Sequence, residues 1–209
     1  MRITRRNFVF GAGAAALAVV ADATCVEPRW LHITQHDVPV AGLPRALDGY
    51  RIAQITDAHL RQIGTVEERI LREIVHRDAA LVVLTGDTID QSSSRGVFEE
   101  FCRNLGGSRR AVVATLGNWE HHVRIRIESL RDIYRAHGIR LLINETASFD
   151  GAVRVAATDD AIGGRVVLDP SMSPSAAAPV NIFLTHSPAL LDRVPGRFGR
   201  FDLTLAGHT

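Results

Sequence analysis

The chain is predicted to fold as an α/β domain, and three observations predict it. Five short, mostly apolar runs have the length of strands, and each stops abruptly on Asp, His or Asn. Stretches with helical spacing of apolar residues stand between them. The composition is that of an ordinary globular protein, 46% hydrophobic and 22% charged with 17 glycines, and it contains no low-complexity tract or internal repeat. Once an N-terminal segment is set aside, the 209 residues amount to one domain's worth of chain.

Residues 1–23 are that segment. Thr4-Arg5-Arg6-Asn7-Phe8-Val9 precedes an Ala/Gly-rich apolar run over 11–21, and Ala21-Asp22-Ala23 offers a small-x-small cleavage site. The arrangement resembles a twin-arginine signal peptide, which implies recognition by the twin-arginine export machinery and a location in the periplasm or cell envelope. An uncleaved signal would instead anchor the protein in the membrane. Asp22 stands three positions before Cys25, where a lipoprotein site needs an apolar residue, so lipidation is not expected. Cleavage removes three arginines and one aspartate, and the formal charge of +1 becomes −1. A nearly neutral chain without a basic block is a poor bulk partner for nucleic acid. All 24 basic residues are Arg, which excludes a Walker-type phosphate-binding lysine and Schiff-base chemistry.

In chain order, His32-Ile33-Thr34-Gln35-His36-Asp37-Val38 alternates like an edge strand, its histidines on the exposed face. Arg51-Ile52-Ala53-Gln54-Ile55 is the first site strand and ends on Asp57 and His59, two residues apart and so on one side of an extended backbone. Thr65-Val66-Glu67-Glu68 has the spacing of a capping box, and Val66, Ile70, Leu71, Ile74 and Val75 follow at helical intervals. The continuous apolar run over 79–84 predicts a strand buried on both faces, and it ends on Gly86-Asp87. Cys102, beside Phe101 and Leu105, is expected as a buried free thiol. The run over 111–116 ends on Gly117-Asn118. A helix over 122–137 would bury Val123, Ile127, Leu130 and Tyr134 and leave Arg124, Arg131 and Arg135 on a solvated, ion-paired face with Glu128 and Asp132. Thr158-Asp159-Asp160 before Gly163-Gly164 reads as a turn, and 168–179 as a surface loop with room to cover a site. The run over 180–184 ends on His186, and that over 203–206 on Gly207-His208.

Strands that share a direction bring their carboxyl ends to one rim, where open α/β sheets build their sites. Asp57, His59, Asp87, Asn118, His186 and His208 would then converge. Two carboxylates, three imidazoles and an amide with no thiolate suit Mn, Fe, Zn or Co, and six donors exceed the needs of one open catalytic ion. Two divalent cations are expected, with one carboxylate between them.

Taken in order, Asp57-x-His59, Gly86-Asp87, Gly117-Asn118, His186 and Gly207-His208 resemble the successive blocks of the calcineurin-like metallophosphoesterases, from about residue 50 onward. The entry Leu47-Asp48-Gly49-Tyr50 into the first strand is similar to the exported, twin-arginine-dependent branch of that family. The resemblance implies a sandwich of two sheets flanked by helices, in four layers α/β/β/α. It implies that Asp57 and His59 hold the first ion, that Asp87 bridges, and that Asn118, His186 and His208 hold the second. It implies hydrolysis of a small phosphoester, lipid or cell-wall derived among the options and a phosphodiester in the leading version, by in-line attack of a hydroxide held between the ions.

Two departures qualify the resemblance. The family's asparagine block usually reads Gly-Asn-His and then an acidic residue, whereas here Trp119 replaces the His, and an indole N–H cannot deliver a proton. His121 and His122 lie one helical turn beyond Asn118. His121 is the candidate catalytic acid, against the alternative that both are exposed. The family's last block also continues as Gly-His-x-His, so residues 24–209 are expected to be a metallophosphoesterase domain lacking its last strands. The rival expectations are a non-catalytic metal or phosphate-ligand binding protein and an inactive fragment.

Overall fold

The computed structural model describes residues 31–107 and 110–208, together with Gly13, Leu17, Val19 and Val20; for Pro195 only the backbone is described. The expected signal segment, its cleavage site and Cys25 lie almost wholly outside these residues. Among the described residues no helix is long and apolar enough to cross a membrane.

Among the described residues, eight strands form two four-stranded sheets. The first holds β1 (Ile52–Ile55), β2 (Leu81–Thr85), β3 (Ala111–Thr115) and β4 (Ile139–Leu141), in that order and all parallel. The second holds β5 (Glu145–Phe149), β6 (Val153–Ala157), β7 (Val180–Thr185) and β8 (Leu203–Ala206). There β5 runs antiparallel to β6, while β6, β7 and β8 are parallel. The helices are α1 (Thr65–His76), α2 (Arg95–Gly106), α3 (Asn118–His122), α4 (Ile127–Ala136) and α5 (Val194–Phe198).

Side-chain alternation along the strands sorts the core into layers. Val82, Leu84, Val112 and Ala114 face outward onto α1, α2 and α4, where they pack with Ile74, Phe98, Phe101, Leu130 and Tyr134. Leu81, Val83 and Val113 face the second sheet and meet Val155, Ala157, Ile182 and Leu184. Ala156 and Phe183 point out of the far side and are covered by Met172, Leu190, Val194 and Phe198. The result is the four-layer arrangement, and the unbroken apolar spelling of β2 follows from burial on both faces.

Several local expectations are corrected. Residues 32–38 form no strand, because alternation alone cannot hold a strand without a neighbour to pair with. The first helix is capped one residue early: the Gly64 N–H donates to Glu67 Oε2 at 2.9 Å, and the Thr65 hydroxyl caps nothing. Its Val75 is 62% exposed rather than buried. The helix expected over 122–137 is two helices, separated at Val123 and Arg126 by extended backbone with ψ of 134° and 137°. On α4 the arginine face is ion-paired as expected, Arg135 with Asp132 and Arg131 with Glu145. Cys102 is a free, buried thiol. The 168–179 loop is pinned to the outer face of the second sheet by buried Met172 and by Asn181, whose side chain holds Ser175 and Ala178.

Candidate metal centre

The first sheet's loops after β1 and β2 stay zipped together beyond the strands. Asp57 N–H donates to the Gly86 carbonyl at 3.1 Å, His59 N–H to the Asp87 carbonyl at 2.9 Å, and Leu60 N–H to the Thr88 carbonyl at 2.9 Å. Asp57, His59 and Asp87 are thereby held within reach of one another, with donor atoms inside 4.8 Å. His59 Nε2 lies 3.7 Å from Asp87 Oδ2. Thr56 hydroxyl and the His208 N–H both donate to Asp57 Oδ2, at 2.6 and 3.1 Å, which fixes that carboxylate across the two sheets.

Asp87 also belongs to a second group, with His186 and His208. His186 is wholly buried at the end of β7, and its Nδ1 donates to the Thr85 carbonyl at 2.8 Å. A carbonyl only accepts, so Nδ1 carries the proton and the neutral ring aims a lone pair out of Nε2. That Nε2 meets Asn118 Oδ1 at 3.0 Å, His208 Nδ1 at 3.2 Å and Asp87 Oδ2 at 3.3 Å. His208 Nδ1 is also 3.1 Å from Asn118 Oδ1. Four donor atoms so close, two of them oxygens without protons, repel unless a proton or a cation lies among them. Their separations match the edges of a coordination polyhedron, about 3.0 to 3.4 Å for ligands at about 2.1 Å from a metal. The residues therefore fit a divalent cation.

Without a cation, a proton takes its place. Burial alone would lower the His186 pKa, but the Asp87 carboxylate, the Thr85 carbonyl and the Asp57 charge outweigh it and take the pKa up to about 9. Burial would likewise raise Asp87, yet His186, the Trp119 N–H and His59 hold its carboxyl below the usual range. His59 Nδ1 is buried without a hydrogen-bond partner and lies 3.6 Å from Asp90 Oδ1. Asp90 is itself held by Arg61 Nε at 2.8 Å, so it is placed to orient His59 from behind.

All six expected donors meet at one rim, where the ends of β1, β2, β3, β7 and β8 come together. The turns that bring them there need their glycines. Gly86 sits at φ +94°, and a Cβ on it would lie 2.6 Å from Gly117 N and 2.7 Å from His186 Nδ1. A Cβ on Gly117 would lie 2.2 Å from Asp87 Oδ1. Gly-Asp and Gly-Asn are thus the spellings of two loops that pass at backbone contact.

Glu120, absent from the expected set, is the hub of these loops. Fully buried, it accepts from Asp87 and Gly117 N–H on Oε2 at 2.9 and 2.8 Å, and from Thr88 and Ile89 N–H on Oε1 at 2.7 and 3.3 Å. Burial pushes its carboxyl up, against the pull of those N–H groups. Only its place directly after Asn118-Trp119 hinted at a role. Asp90 had no sequence signal beyond lying three residues after Asp87.

The α3 histidines face different ways. His121 Nε2 is 2.7 Å from Asp159 Oδ1, on the loop after β6. The loop, expected to be a turn, is one: Asp159 also accepts from the Asp160 and Arg165 N–H groups at 2.9 and 2.8 Å. Trp119 sits edge-on to His59, ring centroids 5.2 Å apart, and His122 lies against the same indole at 5.9 Å.

The profile of the family described as calcineurin-like phosphoesterase matches residues 50–209. Two curated relatives from Bacillus subtilis (strain 168) are similar. The "Uncharacterized metallophosphoesterase YkuE" is 33% identical over 98 residues, 43% of this chain and 34% of the relative. The "Uncharacterized protein YpbG" is 25% identical over 204 residues, 96% of this chain and 75% of the relative. The chain thus matches about a third of the length of the first relative and three quarters of the second.

Proposed function

Because the chain belongs to the calcineurin-like phosphoesterase family, we propose that it is an exported phosphodiesterase that works with two divalent cations. The observation that carries this reading is the sharing of Asp87 between two donor groups, Asp57–His59–Asp87 and Asp87–His186–His208. In this reading Asp57, His59 and Asp87 would hold one ion, and Asp87, Asn118, His186 and His208 the other. Bound there, the ions would supply Lewis acidity toward water and the phosphoryl oxygens.

The chain's own residues would do the rest. The Thr85 carbonyl holds His186 in the tautomer that a cation needs, and Asp90, 3.6 Å from His59 Nδ1, would do the same for His59 on a small approach. His121 is the proposed proton donor to the leaving group: Asp159 takes its Nε2–H, so the proton to be delivered sits on Nδ1. Trp119 packs edge-on against His59 and borders that side of the site. Export is supported by the arginine pair, the apolar run and the small-x-small site of residues 1–23.

The deciding experiment is hydrolysis of bis(p-nitrophenyl) phosphate by the purified chain with Mn, Fe, Zn or Co added, alongside calorimetric titration of the metal. Turnover that chelation abolishes, with two ions bound per chain, is expected. Trp119 in place of a proton-donating histidine favours a second reading, a non-catalytic binding protein, and two ions bound without turnover would select it.

A further inference from the structure

Beyond His208, the loops that follow β6 and β7 part and leave a groove of about 480 Å³. One wall is Ala161 and Ile162, the other Pro188 and Leu190, and Arg193 stands with them. Both walls are built rather than loose. Asp160 Oδ2 accepts from the Ile162 and Gly163 N–H groups at 2.7 and 2.5 Å, while Pro188–Leu190 form a 3-10 turn with Leu190 buried. Ile162 nevertheless keeps 64% of its surface in water, which a bound apolar group would cover to advantage.

The groove opens beside His208 of the proposed metal centre, so a phosphoester seated there can extend a substituent into it. The walls suit an apolar body. Arg193 is the one lining group charged at every physiological pH, and among the described residues no carboxylate pairs with it. A guanidinium in that setting selects an anion.

We propose that this groove is a subsite for a substituent that has an apolar body and ends in an anionic group, with Arg193 selecting the anion. The inference rests on the phosphoesterase reading above. Its test uses p-nitrophenyl alkyl phosphodiesters in a series of arm lengths, each arm ending in a methyl, a carboxylate or a phosphate. The metal-loaded chain is expected to favour an anionic end over methyl by about tenfold or more in kcat/KM. Arg193→Ala should bring that ratio toward one, Arg193→Lys should keep part of it, and Ile162→Glu should lower it by repulsion from the facing wall. The carboxylate and phosphate arms tell which anion is preferred, and thermal melting of each variant shows that it is folded.

The corresponding non-hydrolysable phosphonates, titrated by calorimetry, separate the two failures. No turnover of any ester, with an Arg193-dependent preference among the phosphonates, overturns the enzyme reading and leaves the subsite standing. Equal affinity for methyl and anionic ends, no measurable binding of either, or a preference that survives Arg193→Ala overturns the subsite.

Discussion

Asp57, His59, Asp87 and His208 all sit in left-handed backbone, at φ of 51°, 41°, 52° and 58°. Asp and His tolerate that region better than most residues, but each costs on the order of 1 kcal/mol or more and persists only where neighbours insist. Glu120 is the chief of these neighbours, because one carboxylate satisfies four backbone donors in the loops that carry Asp87 and Asn118. Glu120→Gln puts an NH₂ against two N–H groups that need an acceptor. It should therefore cost at least about 3 kcal/mol in a denaturant titration, close to the loss from Glu120→Ala; a Gln variant of wild-type stability would remove Glu120 from this role. His121 is tested through the leaving group. Loss of a proton donor matters little when p-nitrophenolate departs and much when an alkoxide does. His121→Asn is expected to lower kcat for alkyl esters about a hundredfold more than for p-nitrophenyl esters, with His122→Asn as the comparison; equal losses on both substrates would rule out proton donation by His121.

At the scale of elements, an aromatic contact ties two helices of the outer layer together over the first sheet. Phe98 on α2 meets Tyr134 on α4 edge to face, centroids 5.0 Å apart, and both side chains are wholly buried. Phe98→Ala leaves a cavity under α2, and an unfolding titration should show a loss of about 3–5 kcal/mol with the metal sites intact; a loss below about 1 kcal/mol would mean that the layer closes up. The same scale explains which elements could be read from the chain. β2, β3 and β7 are spelled by apolar runs because other layers cover them, whereas β8 alternates, with Leu203 and Leu205 packed against the core and Thr204 exposed. The polar edge strand β5 and the three-residue β4 carry no such run, and their pairing with β6 and β3 alone makes them strands. The break between α3 and α4 has no Gly or Pro to announce it; there the extended backbone packs Val123 and Ile125 into the core beneath the helices.

Across the whole molecule, the site exists only because two sheets meet. Gln54 Nε2 on β1 donates to the Ala206 carbonyl at the end of β8 at 2.8 Å, and Thr115 on β3 donates to the Thr158 carbonyl after β6. The pH response of the metal-free protein belongs to this seam. The His186 pKa is raised from its ordinary 6.5 to about 9, so the stability it contributes is full below 6.5 and is lost as pH rises through 9. Asp87 is lowered, so its share is full above its ordinary 3.8 and is lost in acid. Calorimetry of chelator-treated protein should show Tm falling by a few degrees from about pH 6 to about pH 9. Added divalent cation should cancel the fall, because the ion takes the proton's place and binds better as His186 deprotonates; a metal-free Tm that rises over this range would contradict the assignment. The spelling of the chain was enough to point to the α/β class, the site strands and six residues that meet at one rim, because burial and strand-end chemistry leave marks on short stretches. It was not enough to show Glu120 and Asp90 behind those residues, the direction of His121, or the groove at Arg193. Those depend on which loops touch across the two sheets, and contacts between residues tens of positions apart leave no periodic trace in a sequence.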